Sequence, residues 1–225
     1  MSSARRGVLS RAIHCTALTC LAALPWAAQG QSPLMAMASA IPPTPRHTVL
    51  VVGDSLSAEY GLPRGSGWVA LLEQRLDLER LSARVVNASI SGDTTAGGLS
   101  RLPALLKQHR PTHVILELGG NDALRGLPLT DTRRNLTEMT RAAKAAGAQV
   151  LIVGIEVPPN YGRRYTDDLA ALFVSVSKSE GAPLVPTLLA GVGEAEFQAD
   201  RIHPLASAHP KLLATVWPAL KPLLR

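Results

Sequence analysis

Beyond its first forty residues the chain has no cysteine: Cys15 and Cys20 are its only two. The folded part therefore has neither thiol chemistry nor disulfides and relies on its core alone. It has no run of Lys and Arg of the kind that marks a nucleic-acid-binding face, and Arg163-Arg164 is the only basic pair in a candidate loop. No His and Cys cluster has metal-ligand spacing. Neither Gly-x-x-x-x-Gly-Lys-Ser/Thr nor Gly-x-Gly-x-x-Gly occurs, which removes the common nucleotide fingerprints. No internal repeat or low-complexity tract follows the proline-rich stretch at 42–45.

What is present begins with a leader. Arg5, Arg6 and Arg11 precede an apolar stretch from Ala12 through Ala28 that is short for a membrane span and is followed by small residues. This is the pattern of a secretory signal peptide within residues 1–40. Two sites fit the small-x-small rule, after Gly30 and after Ala40. An uncleaved anchor and lipidation at Cys20 are weaker readings, since Thr19 is a poor residue before a lipidated Cys. Pro42, Pro43 and Pro45 make residues 41–46 a stiff linker, and residues 47–225 are one domain of ordinary size. Removing the three leader arginines from the formal +6 leaves about +3, a mild basic excess.

In the domain, short apolar runs alternate with helical patterns. Strands are expected at 48–52, 84–88, 113–118, 149–155 and 184–186, rich in Val and Ile and without strict alternation. Trp68, Leu71, Leu72 and Leu76 form one helical stripe. Leu99, Leu102, Leu105 and Leu106 form a second, with Pro103 in its first turn. Leu136, Met139, Ala143 and Ala146 form a third, ended by Gly147, and two more helices are expected at 163–180 and 207–220. The rhythm predicts an α/β fold: a three-layer αβα sandwich around a parallel sheet of about five strands. In such a sheet ligands bind at the carboxyl ends of the strands. A polar, glycine-bearing turn follows each of the first three strands: Gly53-Asp54-Ser55, then Ser89 to Thr94 around Gly92, then Gly119-Gly120-Asn121-Asp122. All three belong on one edge.

A hydroxyl is a poor nucleophile unless a base sits beside it and a third group orients that base. Ser55 is the candidate nucleophile, His203 the base and Asp200 the orienter; the bland alternatives are a turn serine, a satisfied loop histidine and a capping aspartate. Asp-x-x-His spacing lets the carboxylate accept from Nδ1–H and leaves Nε2 free for the serine proton. The candidate oxyanion donors are the backbone N–H groups of Ser55 and Gly92 and the side-chain amide of Asn121. The other histidines compete weakly: His14 is in the leader, His47 at the domain edge, His109 and His113 at a strand entry, and His209 is expected exposed in the last helix. Residues 158–165 read as a loop bordering the pocket.

These motifs together resemble the four blocks of the SGNH, or GDSL, hydrolase family: Gly53-Asp54-Ser55-Leu56-Ser57, Gly92, Gly119-Gly120-Asn121-Asp122 and Asp200-x-x-His203. The wider match, through Asn87 to Thr94, Arg101 to His109 and Pro159 to Tyr165, is similar to the bacterial periplasmic multifunctional thioesterase/lysophospholipase/arylesterase subgroup. The resemblance implies a flavodoxin-like SGNH hydrolase fold, a Ser55, Asp200, His203 triad and an oxyanion hole of Ser55, Gly92 and Asn121. Asp54, Leu56, Pro158, Asn160, Tyr161 and Ile202 are expected at the substrate. Two positions depart from the family: Arg201 stands where Gly is frequent, and Leu205 where a polar residue is common.

The expectation is a serine esterase and thioesterase, periplasmic or secreted and monomeric. Its partner would be a small-molecule or lipid acyl ester or thioester, with no nucleic acid, no metal, no cofactor and no membrane anchor once the leader is removed. A carbohydrate acetyl esterase on the same scaffold is the second reading, and a phosphate-binding doubly wound module a distant third. The missing second glycine of Gly-x-Ser-x-Gly and an acid and base only three residues apart argue against the larger α/β-hydrolase fold.

Overall fold

The structure is a computed structural model that describes residues 45–225. The leader, both candidate cleavage sites and most of the proline-rich linker lie outside the described residues. The domain starts with β1 (His47–Gly53), then α1 (Trp68–Leu78), β2 (Ala83–Asn87), α2 (Thr95–His109), β3 (His113–Glu117) and the short α3 (Gly120–Leu124). It continues through α4 (Leu129–Ala145), β4 (Gln149–Val153), α5 (Arg163–Glu180), β5 (Leu184–Val185) and α6 (His209–Leu220).

The five strands form one parallel sheet in the order β2-β1-β3-β4-β5. Helices α1 and α6 pack together, and α2, α4 and α5 pack side by side. This is the expected three-layer arrangement. Val49 to Val52 of β1 and Val114 to Leu116 of β3 have no exposed surface, because helices cover both faces of the central strands. Each such fully buried aliphatic side chain contributes about 1.5–3 kcal/mol. Strand β2 is at the edge and is only partly covered. The register pairs Gly53 with Glu117, so the turns after β1 and β3 leave the sheet side by side.

Helix α2 differs from the sequence expectation. Pro103 is in its middle, not its first turn, because the helix starts at Thr95 on a Thr94 side chain that accepts from the Gly97 N–H. Glycines conceal that start: Gly97 and Gly98 weaken the apolar stripe. Gly98 is required by packing, since a Cβ there would lie 2.3 Å from Leu118 Cδ1. Strands β4 and β5 end at Val153 and Val185, short of 155 and 186, and the last helix opens with a 3-10 turn at Ala206–Ala208.

His209 is buried, contrary to the expectation of exposure. Its Nδ1 accepts the Trp68 N–H at 2.9 Å, satisfying the first orphan donor of α1, whose N-cap Gly67 has no side chain to do so. Burial lowers its pKa, which keeps the imidazole neutral and able to accept. Among the described residues no helix is long and apolar enough to cross a membrane.

Candidate active site

Ser55 sits where β1 ends, in a turn closed by the Ser57 and Ala58 N–H groups on the Asp54 carbonyl. Its Oγ is 2.8 Å from His203 Nε2. His203 Nδ1 is 2.6 Å from Asp200 Oδ2. Asp200 Oδ1 accepts the N–H groups of Ile202 at 2.9 Å and His203 at 3.0 Å, so both carboxylate oxygens have fixed duties. Burial opposes ionisation of Asp200, but these two N–H groups and the imidazole outweigh it and bring the carboxyl down to about 2. The Asp200–His203 turn is itself braced. Phe197 and Pro204 form an antiparallel bridge, and the Gln198 side chain donates to Tyr60 and Pro204 carbonyls. The Tyr60 ring lies against the His203 ring at 4.4 Å between centroids.

Arg201 is strained within that turn. Its φ is +58°, a left-handed conformation that suits glycine. The turn requires it, with the Arg201 N–H donating to the Gln198 carbonyl while Asp200 folds back on the next two residues. Arg201→Gly should relieve about 1 kcal/mol and raise Tm by roughly 2–4 °C in a thermal melt. A Tm that stays level or falls would show that the turn holds the arginine without strain.

Asn121, the second residue of α3, donates from Nδ2 to Asp54 Oδ2 at 3.0 Å and faces the same cavity as Ser55. Gly92 has φ +78°, and its carbonyl is held by Arg125 Nη2 at 2.8 Å. Among the described residues no hydrogen bond engages the N–H of Ser55 or of Gly92. Three donors thus come from three successive strand ends, although Gly92 lies outside the cavity lining. That cavity has a volume of about 960 Å³. Ile155, Val157, Leu189, Val192 and Phe197 supply apolar wall, and Arg201, Glu156 and Glu194 charged rim. The expected substrate residues Leu56, Pro158, Asn160, Tyr161 and Ile202 all line it. Asp54 does too, but is only 2% exposed, with its carboxylate engaged by Asn121 and by the Leu56 N–H. Among the described residues no group of three or more His, Cys, Asp or Glu side chains is placed to hold a metal ion.

Several supporting residues were not singled out from the sequence. Glu117 lies buried under the Ser55 turn and accepts the Ser57 hydroxyl at 2.6 Å, while Trp68 Nε1 donates to the same hydroxyl at 3.2 Å. Burial and the neighbouring Asp54 push its carboxyl well above the usual range. Arg101 ties the turns after β1 and β2 together, bonding to Asp93 Oδ2 at 2.8 Å and to the carbonyls of Ala88 and Gly53. Asp122 clamps the start of α2 through the Thr95 N–H and hydroxyl. A signal for Glu117 was available, a lone carboxylate closing an otherwise apolar strand. Arg101 and Asp122 had none beyond their place in the motif blocks.

The chain is similar to known proteins in both sequence and fold. Residues 51–210 match the model of the GDSL-like Lipase/Acylhydrolase family. The chain is 54% identical to Esterase TesA of Pseudomonas aeruginosa over 179 residues, 79% of this chain and 89% of that protein. It is 43% identical to the Thioesterase 1/protease 1/lysophospholipase L1 of Escherichia coli over 178 residues, 78% of this chain and 84% of that one. A crystal structure of TesA superposes with a TM-score of 0.77, covering 78% of this chain and 99% of its own.

Proposed function

The chain belongs to the GDSL-like lipase/acylhydrolase family, and we propose that it is a serine hydrolase of acyl esters and thioesters working through an acyl-enzyme. The observation that carries this reading is the continuous path from Ser55 Oγ through His203 to Asp200, at 2.8 and 2.6 Å, on the floor of an apolar-walled cavity. Ser55 Oγ attacks the acyl carbonyl and its proton passes to His203 Nε2. Asn121 Nδ2 and the N–H groups of Ser55 and Gly92 receive the negative charge that develops on the carbonyl oxygen. The bond to the leaving oxygen or sulfur breaks, and His203 returns the proton to it. Water, deprotonated by His203, then releases the acid and restores Ser55.

The cavity volume supports medium-length acyl chains over acetyl alone. A series of oxygen esters and thioesters of increasing acyl length tests this. Each added methylene should raise kcat/KM by up to about fourfold until the apolar wall is filled, since a buried methylene is worth about 0.8 kcal/mol. Cleavage of acetyl esters only would favour the carbohydrate acetyl esterase reading instead. The basic leader and apolar stretch support export to the periplasm or beyond, with no anchor after cleavage. The triad and the Asn121 donor lie within one chain, so the chemistry proposed for them needs no residue from a second copy.

A further inference from the structure

We propose that Asp54 is a positioning residue for the oxyanion hole: its carboxylate takes one N–H of the Asn121 amide and thereby aims the other at the reacting carbonyl oxygen. The inference rests on the reading of Ser55, His203 and Asp200 as a hydrolase triad and says how that site keeps its third donor in place.

An asparagine amide has two ends of nearly equal shape, one donor and one acceptor, and a rotation exchanges them. A donor end in the oxyanion hole stabilises the transition state, while a carbonyl end repels it. Asn121 therefore needs a neighbour that can only accept. An ionised carboxylate is such a group, and Asp54 Oδ2 stands 3.0 Å from Asn121 Nδ2. The other oxygen, Oδ1, is occupied by the Leu56 N–H at 3.0 Å, so the carboxylate cannot turn away. The side chain is buried, so water does not compete for it.

The charges around Asp54 make this contact sensitive to pH. Glu117 faces it from β3, Asp93 from the turn after β2, and His203 from the Asp200–His203 turn. Asp93 is bonded to Arg101. Two adjoining buried carboxyls do not both ionise readily, and Glu117, wholly enclosed, is the one that stays neutral. Asp54 is raised by burial to about 6, against its hydrogen bonds and the His203 charge. Below that pH it gains a proton and ceases to be accept-only, and Asn121 loses the group that selects its orientation. The acid limb of the rate profile thus contains the Asp54 carboxyl.

The test is Asp54→Asn, alone and combined with Asn121→Ala. In Asp54→Asn the new amide keeps its oxygen on the Leu56 N–H and presents a donor to Asn121, which turns the wrong way. We expect kcat to fall by about 10–100-fold with KM little changed, a part of the 10²–10³-fold effect of losing an oxyanion donor outright. In the Asn121→Ala background the same substitution should cost less than about threefold, because the group it acts through is gone. Asp54→Asn should also make the acid limb shallower near pH 6. Its Tm at pH 7 should not fall, since a buried charge has been removed. Equal losses in both backgrounds, or an unchanged acid limb, would overturn the proposal. Asn121→Ala alone gives a second check that leaves position 54 intact: its acid limb should be shallower than the native one, and an equally steep limb would count against Asp54. If Ser55→Ala retained activity, the hydrolase reading itself would fall and this inference with it; a Ser55-dependent enzyme with additive losses sinks this inference alone.

Discussion

Ser55→Ala is expected to lower kcat for an activated ester by on the order of 10⁴-fold or more, with the fold and Tm retained. The size of the effect follows from the absence of a substitute. Among the described residues Ser55 Oγ is the only hydroxyl bonded to His203 Nε2. Ser57, two residues on, is buried and donates to Glu117 while accepting from Trp68, so it cannot turn toward the base. Without Ser55 the oxyanion donors and the cavity remain, and they account for whatever residual rate survives. The measurement is kcat and KM on a p-nitrophenyl ester, and hydrolysis within tenfold of the native rate would remove Ser55 from the chemistry.

Asp200→Asn should cost about 10⁴-fold in kcat although it changes almost no volume. The reason lies in the two duties of the carboxylate. Oδ1 receives the N–H groups of Ile202 and His203, and an asparagine will keep its oxygen there. Its NH₂ then replaces Oδ2 and meets His203 Nδ1 donor to donor. The imidazole escapes by moving its proton to Nε2, the nitrogen that must be free to take the Ser55 proton. The variant should stay folded, with activity partly regained at high pH or with a stronger exogenous base. A loss under about tenfold would mean that the braced turn alone orients the ring. The native carboxyl, brought down to about 2, stays ionised throughout the working range and sets no limb of its own.

The strands legible from composition were those in the centre. Strands β1 and β3 read as uninterrupted apolar runs because both faces are covered. The limits of β4 and β5 slipped by one or two residues, since apolar residues continue past the last ladder bond as the chain turns toward the cavity. Helix α2 lost its first turns to Gly97, which lies against the Asp93 carboxylate, and Gly98, which lets the helix approach Leu118. His209 was misplaced because its partner, the Trp68 N–H, is 141 residues away in the chain. In the site, Ser55, Asp200 and His203 were legible because acid and base are three residues apart and the serine follows a strand. Asp54 was expected at the substrate and lines the cavity; its carboxylate also holds Asn121, and no pattern along the chain reports which of two neighbouring side chains a buried carboxylate serves.

Ser55 as a nucleophile activated by His203 and Asp200 is the step on which every other role in the site depends. Reaction with a fluorophosphonate, followed by intact mass and peptide mapping, tests it most directly. One phosphonyl adduct per chain is expected, located on Ser55, appearing in step with the loss of esterase activity, absent from Ser55→Ala and much slowed in Asp200→Asn. Full activity with no adduct, or inactivation that tracks an adduct on any other residue, would contradict it.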